Sequence, residues 1–189
     1  MNKVDKSYRD LQAEVRKQTG IIFPVSVIVL WQNFGFRDKR ISDVLEHVRS
    51  VLNELISDPQ ERSPIQILDE ETGIEMRLDG EKRSWRELSY LNGKAWKRDK
   101  HRLNAAQIIY ANQQQKKFVA PNLLSTFCVA LHRHYGFGFE RLSRFMAQAD
   151  DLRREYGEQP DNYSELFNKT TGMELKKMPF YEGKKNERL

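Results

Sequence analysis

The chain has 189 residues, of which 31% are charged and 39% apolar, with a net charge of +5 and a single cysteine. This length fits one large domain or two small ones, and long periodic segments in so charged a chain predict a mainly α fold with minor β structure at most. The lone Cys128 excludes a disulfide framework. Neither a signal peptide nor a membrane-spanning run is evident, so we expect a cytoplasmic protein without a membrane partner.

The positive charge is concentrated in the middle of the chain. Residues 1–81 carry 11 basic and 15 acidic side chains, residues 82–102 carry 8 and 2, and residues 103–189 carry 13 and 10. The corresponding net charges are −4, +6 and +3. A basic middle segment of this kind is typical of a polyanion contact.

In chain order, the first predicted helix has an apolar face and stops at Gly20. After Pro24 we expect a second, buried helix, with a buried strand as the alternative, and Gly35 ends it. A long amphipathic helix is predicted from about Asp38. Its apolar stripe consists of Ile41, Val44, Leu45, Val48, Val51, Leu52 and Leu55.

A compact short helix follows. Ser63 fits its N-cap, Pro64 its first position, Gln66 the reciprocal capping position and Gly73 the left-handed residue after its end. A weak strand signal comes next, in the alternating apolar residues Ile74, Met76 and Leu78.

The middle of the chain is predicted as a short helix opened by a capping box from Ser84 to Glu87. A basic stretch then leads into another helix, whose inward residues are predicted to be Leu103, Ala106, Ile109 and Tyr110. From Pro121 the pattern of the first half returns, as an apolar helix, a break at residues 136–138, an amphipathic helix and a short helix before Gly172.

Two stretches, residues 24–78 and 121–178, carry the same pattern at a spacing of 101 residues. We interpret them as two degenerate copies of one unit, built as helix, glycine corner, helix and short helix. The matched pairs include Leu30/Leu131, Phe34/Tyr135, Gly35/Gly136, Phe36/Phe137, Arg40/Arg141 and Ile41/Leu142. The chain is thus divided into an N-terminal helical unit (1–81), a basic aromatic connector and helix (82–120), a second copy (121–178) and a flexible basic tail (179–189).

An arginine stands one turn into the helix that follows each predicted corner. We interpret Arg40 as a cap or a surface ion pair. For Arg141 two interpretations stay open: a structural role, or a positioned contact with a phosphate or carboxylate, with Arg133 and Arg144 in its neighbourhood.

No catalytic or metal site is predicted, and no cofactor. His132 and His134 point about 200° apart on a helix and cannot chelate together, and we expect His47 and His101 to be isolated. Cys128 has no fixed histidine partner that would activate it as a nucleophile. We therefore expect a protein that is not an enzyme.

The segment 82–102 interleaves cations with tryptophan and tyrosine, a composition suited to phosphate contacts and to base stacking. The alternative is a solvated connector whose tryptophans enter the core. Together with the arginines around the second corner, the candidate nucleic-acid or partner-binding residues are Lys82, Arg83, Arg86, Lys94, Trp96, Lys97, Arg98, Lys100, Arg102, Arg133, Arg141 and Arg144.

The stretch "ALHRHYGFGFERLSRF", residues 130–145, resembles a segment of small uncharacterised proteins of phages and mobile elements of Gram-positive bacteria. The matching residues are Leu131, His132, Gly136, Phe137, Gly138, Arg141 and Leu142. The resemblance implies a phage setting. Our main hypothesis is a phage accessory protein that binds DNA or a host nucleoprotein, for example an anti-CRISPR inhibitor of Cas9. The alternatives are a DNA-binding regulatory or replication factor and a purely structural interaction module, and a homo-oligomer is left open.

Overall fold

A computed structural model describes residues 2–57, 62–76 and 104–174, and in these ranges the chain forms helices and no strand. The mainly α fold predicted from the sequence is confirmed. The six helices are α1 (Lys3–Phe34), α2 (Asp38–Ser57), α3 (Pro64–Thr72), α4 (Ala105–Tyr135), α5 (Phe139–Tyr156) and α6 (Pro160–Thr171).

Two long helices form the centre of the molecule. α1 has 32 residues and α4 has 31, so each is about 47 Å long. They lie side by side and run in the same direction, as two contacts show. Near their amino ends Asn112 Nδ2 donates to Ser7 Oγ at 2.8 Å, and at their carboxyl ends the ring of Phe34 packs on that of Phe137.

The shorter helices cross over between the two halves of the chain. α2 and α3 pack mainly on α4, whereas α5 and α6 pack mainly on α1. The long helix of each half is therefore covered by the short helices of the other half. As a result one continuous hydrophobic core includes residues of both halves, among them the buried rings of Phe36, Phe127, Phe137, Phe145, Tyr163 and Phe167.

The two long helices continue through their prolines, which the sequence analysis did not predict. α1 passes Gly20 without a stop and contains Pro24, and α4 contains Pro121. An internal proline removes one helical hydrogen bond and costs about 3 kcal/mol. In α1 the stretch from Gly20 to Leu30 is buried without interruption, so burial of this apolar surface outweighs the local cost.

The predicted inward face at the start of α4 is also wrong. Tyr110 is 62% exposed and Ala106 is exposed, while Ile109 is half-buried. The buried residues in this part of the helix are Ala111 and Asn112. Asn112 is buried because its amide bonds to Ser7 across the helix pair, and an apolar pattern gives no sign of such a polar contact.

The short helix α3 follows the cap chemistry predicted at Ser63 and Gly73. Ser63 Oγ accepts a hydrogen bond of 3.2 Å from the backbone N–H of Gln66, and α3 ends at Gly73 with φ of 71°. α6 likewise begins at a proline and ends at Gly172 with φ of 70°. Gln159, the N-cap of α6, makes no side-chain cap hydrogen bond, so the halves share the order of elements, the initial proline and the final glycine but not the N-cap. Superposition of residues 24–78 on 121–178 stays a prediction.

Residues 73–76 do not form the predicted strand. Ile74 is buried and Met76 packs against the core, so their alternation reflects two apolar contacts by an irregular segment that follows α3. Leu78 lies outside the described residues.

The first prediction concerns the second corner. Gly136 has φ of 63°, and an added Cβ would meet no atom within 4 Å, so Gly136→Ala carries only the backbone cost of the left-handed conformation. We expect the free energy of unfolding to fall by about 1 kcal/mol in a denaturant titration.

The matched control is Gly138→Ser in the same loop. Gly138 has φ of −80° and caps α5 without a side-chain hydrogen bond, so serine should leave stability unchanged or raise it by about 0.5 kcal/mol. Equal destabilisation of both variants would contradict the left-handed corner at Gly136.

Candidate nucleic-acid interface

The two glycine corners pack directly on each other. Four aromatic residues, which we call the aromatic junction, make this contact: Phe34, Phe36, Tyr135 and Phe137. The ring of Phe34 lies 5.1 Å from that of Phe137, and the ring of Phe36 lies 5.1 Å from that of Tyr135. Phe36 and Phe137 meet edge to face at 6.1 Å. The two contacts of 5.1 Å are reciprocal, because each joins the residue before one glycine to the residue after the other.

At each corner a side chain also forms hydrogen bonds with backbone carbonyl oxygens of the same corner, but the residue type differs between the two. In the first, Arg37 Nη1 donates to the carbonyl oxygens of Trp31 and Phe36 at 2.8 and 2.9 Å. In the second, His132 Nδ1 lies 2.9 Å from the carbonyl oxygen of Phe137, a bond that requires the proton on Nδ1. The first corner has Arg37 at the position where the second has Gly138. At the second corner His132 takes over the bond to the phenylalanine carbonyl oxygen that Arg37 makes at the first.

Three arginines stack on the aromatic junction. The guanidinium carbon of Arg40 lies 4.4 Å from the ring centre of Phe36, and that of Arg141 lies 4.2 Å from that of Phe137. Arg144, one turn further along α5, lies 4.7 Å from the ring of Phe34. Among the described residues, none of the three arginines forms an ion pair with a carboxylate. The interpretation of Arg40 as a cap or ion pair is therefore wrong.

A stacked guanidinium keeps its in-plane N–H groups available. The flat face of the group rests on the ring, a favourable cation–π contact, while its edge points away from it. The side chains of Arg40, Arg141 and Arg144 are exposed, so their donors face solvent with part of their rotational freedom already restricted. Such a group suits the bidentate recognition of a phosphate or carboxylate.

Arg133 has a different environment from Arg141. Its guanidinium donates to Glu71 on α3 at 3.0 Å and to Glu54 on α2 at 2.9 Å. Hydrogen bonding to Arg133 holds the pKa of Glu71 below its usual value, and Glu71 in turn raises the pKa of Arg133. Arg133 therefore joins three helices with its charge compensated, and of the two predicted neighbours of Arg141 only Arg144 shares the junction.

His47 is not isolated, contrary to the sequence analysis. Its ring stacks on that of His134, with centroids 3.7 Å apart and planes within 5°, and meets Tyr135 edge to face. Desolvation, followed by the charge of His47, lowers the pKa of His134 against the opposing effect of Glu54. The pair joins α2 to α4, and only the folded chain brings these two histidines together.

The described residues contain no group of three or more histidine, cysteine, aspartate or glutamate side chains that could hold a metal ion. Cys128 is fully buried, and burial raises the pKa of its thiol far above the ordinary value. A thiol kept protonated in this way is a poor nucleophile.

Among the residues that the structure describes, no helix is both long and apolar enough to cross a membrane.

Most of the basic residues predicted as an interface lie outside the described residues. Of that set the structure places only Arg133, Arg141 and Arg144. The others are Lys82, Arg83, Arg86, Lys94, Trp96, Lys97, Arg98, Lys100 and Arg102.

Comparison with known proteins adds no relative. No protein-family model matches the chain, and no curated protein or solved structure is significantly similar to it. A function must therefore be argued from the side chains themselves.

The second prediction concerns the histidine pair. Because the pKa of His134 is lowered in the folded protein, the unfolded chain binds this proton more readily, and stability falls as the pH drops below the ordinary histidine value of about 6.5. Denaturant titrations at pH 7.5 and 5.5 should show this decrease, and His134→Gln should reduce it.

Carboxylates affect stability in a lower pH range. Glu71 has a lowered pKa, so its contribution disappears only as the pH falls through that lowered value, below the histidine range. An unfolding free energy that is equal at pH 7.5 and 5.5 in the parent would contradict the prediction.

Proposed function

We propose that this protein binds nucleic acid, free or within a nucleoprotein complex, through Arg40, Arg141 and Arg144. The observation that carries the proposal is that all three guanidinium groups are stacked on the aromatic junction and exposed, with no carboxylate of the described residues paired to them. Three such groups on one cluster of rings match a ligand that repeats its negative charge at short intervals, as a phosphate backbone does.

The start of α5 supports the same proposal. Gly138 caps this helix without a side-chain hydrogen bond, and the N–H groups of a first helical turn attract phosphate. Arg141 and Arg144 lie within the first two turns of the same helix. Three acids reduce the positive potential without forming an ion pair with these arginines: Asp38 and Glu140 in the first turns of α2 and α5, and Asp43, whose charge acts on Tyr135 as that of Arg40 does.

The resemblance of residues 130–145 to phage proteins adds a setting to the proposal. In that setting the protein is a non-enzymatic accessory factor that acts on a host nucleoprotein, with CRISPR-Cas9 as one specific target to test. A regulatory or replication factor would differ in preferring one DNA sequence over others, whereas contacts limited to phosphates are independent of sequence.

The third prediction tests the arginines. In a fluorescence anisotropy titration with labelled duplex and single-stranded DNA over a range of salt concentrations, the variant R40Q/R141Q/R144Q should bind more weakly to all sequences. The slope of log affinity against log salt should flatten by about 0.9 for each duplex phosphate that the variant no longer neutralises. Arg141→Lys keeps the charge but not the planar fork, so it should retain only part of the affinity.

The control replaces three exposed arginines away from the aromatic junction, Arg16, Arg49 and Arg154, by glutamine, which removes the same charge. If this control weakens binding as much as R40Q/R141Q/R144Q does, net charge alone explains the effect and the proposed site is wrong. A parent protein that binds neither DNA at any salt concentration would instead favour a module for protein–protein interaction.

The fourth prediction addresses the basic segment at residues 82–102, which lies outside the described residues. Replacing Lys97, Arg98 and Lys100 together by alanine should flatten the same salt slope by up to about three units. Trp96→Ala should weaken binding by about 1–3 kcal/mol if the indole stacks on a base. A triple variant with the parent's affinity at every salt concentration would make the segment a connector and leave binding to the arginines of the aromatic junction.

A further inference from the structure

A second positively charged feature lies at the opposite end of the long helices. A groove of about 350 Å³ opens between the first turns of α1 and the part of α4 beside them. The groove is lined by Lys3, Lys6, Ser7, Asp10, Ile109, Gln113 and Lys116, and more of its wall is apolar than polar.

The charges that line this groove are unbalanced. Three of the lining residues are lysines, Lys3 and Lys6 from α1 and Lys116 from α4, against a single acidic residue, Asp10. None of these four side chains forms an ion pair with another residue in the described ranges. Like charges that face one cavity repel each other, and an anion bound between them would relieve that repulsion.

A buried polar contact joins the two long helices at Ser7, which is one of the lining residues. Asn112 is fully buried, and its Nδ2 donates to Ser7 Oγ at 2.8 Å. The Ser7 hydroxyl in turn donates to the carbonyl oxygen of Val4 at 2.8 Å. These bonds tie α1 to α4 at the level of the groove, so the backbone that carries the three lysines is fixed.

We propose that this groove binds a phosphate group. Three ammonium groups suit an ion that carries up to two negative charges and accepts several hydrogen bonds, and the Gln113 amide provides a further donor at the same wall. The volume lies within the range of small-ligand sites, so part of the molecule that bears the phosphate also fits.

This site is independent of the proposed arginine interface. Lys6 and Phe34 are 28 residues apart on α1, which places the groove about 40 Å from the aromatic junction. The phosphate group can come from a small molecule or from a nucleic-acid backbone, and the experiment distinguishes these two sources.

The fifth prediction follows the amide signals of Ser7 and Gln113 in ¹⁵N–¹H spectra of the full chain as inorganic phosphate is added. Both signals should shift and saturate. K3Q/K6Q/K116Q should weaken binding by about tenfold or more, since removing even one charged hydrogen bond has roughly that effect. Asp10→Asn should tighten it, because it removes the one competing carboxylate. Lys117→Gln, on the same helix but outside the groove, is the matched control and should change nothing.

A second titration uses a single-stranded DNA 12-mer on the R40Q/R141Q/R144Q background, so that the arginine interface does not contribute. If the groove signals respond to inorganic phosphate and not to the 12-mer, the ligand is a small phosphate; if they respond to the 12-mer, it is a backbone phosphate. The proposal is overturned if neither probe shifts them, if Asp10→Asn weakens binding, or if Lys117→Gln weakens it as much as the lysine triple variant.

Discussion

The reciprocal packing of the two glycine corners is the contact on which the rest of this fold depends. Phe34 rests on Phe137 and Phe36 on Tyr135, so the carboxyl ends of the two long helices are held together. With the contact between Asn112 and Ser7 near the amino ends, this packing keeps α1 and α4 parallel. It also directs the chain after each corner along the long helix of the other half, which is why the two halves share one core within the described ranges.

The same junction explains why some arginines are candidates for binding and another is not. Arg133 has the same charge as Arg141, but its guanidinium is bonded to Glu54 and Glu71, so a ligand would have to displace two carboxylates. Arg141 rests on the face of Phe137, and a ring face competes weakly with a phosphate for the in-plane donors. The same aromatic cluster thus packs into the core and supports cations: Phe36 and Phe137 are buried, and the guanidinium groups of Arg40 and Arg141 lie over their rings.

Local signals in the sequence predicted much of this fold. The left-handed glycines, the Ser63 cap and the apolar stripe of α2 are each encoded within a few residues and were identified correctly. The continuation of the helices through Pro24 and Pro121 was not, because it depends on burial against a distant helix. The candidate site shows the same contrast between local and distant contacts. The sequence placed Arg141 and Arg144 beside their glycine corner. The stack of His47 on His134 and the pairing of Arg133 could not be predicted, because they depend on residues from α2 and α3.

Arg37 and His132 show how two corners with the same backbone have taken different side chains. In both, the carbonyl oxygen of the phenylalanine after the glycine accepts a bond, from the Arg37 guanidinium in one case and from the His132 ring in the other. Arg37 also stacks on the ring of Trp31, but its Nη1 already donates to the carbonyl oxygens of Trp31 and Phe36, so it has fewer donors left for a ligand than Arg40. At the second corner the histidine fills this role, which leaves Gly138 without a side chain beside the open first turn of α5. The two corners are therefore unequal in the access they give to a ligand, and the second, with Arg141 and Arg144 on the following helix, is the more open of the two.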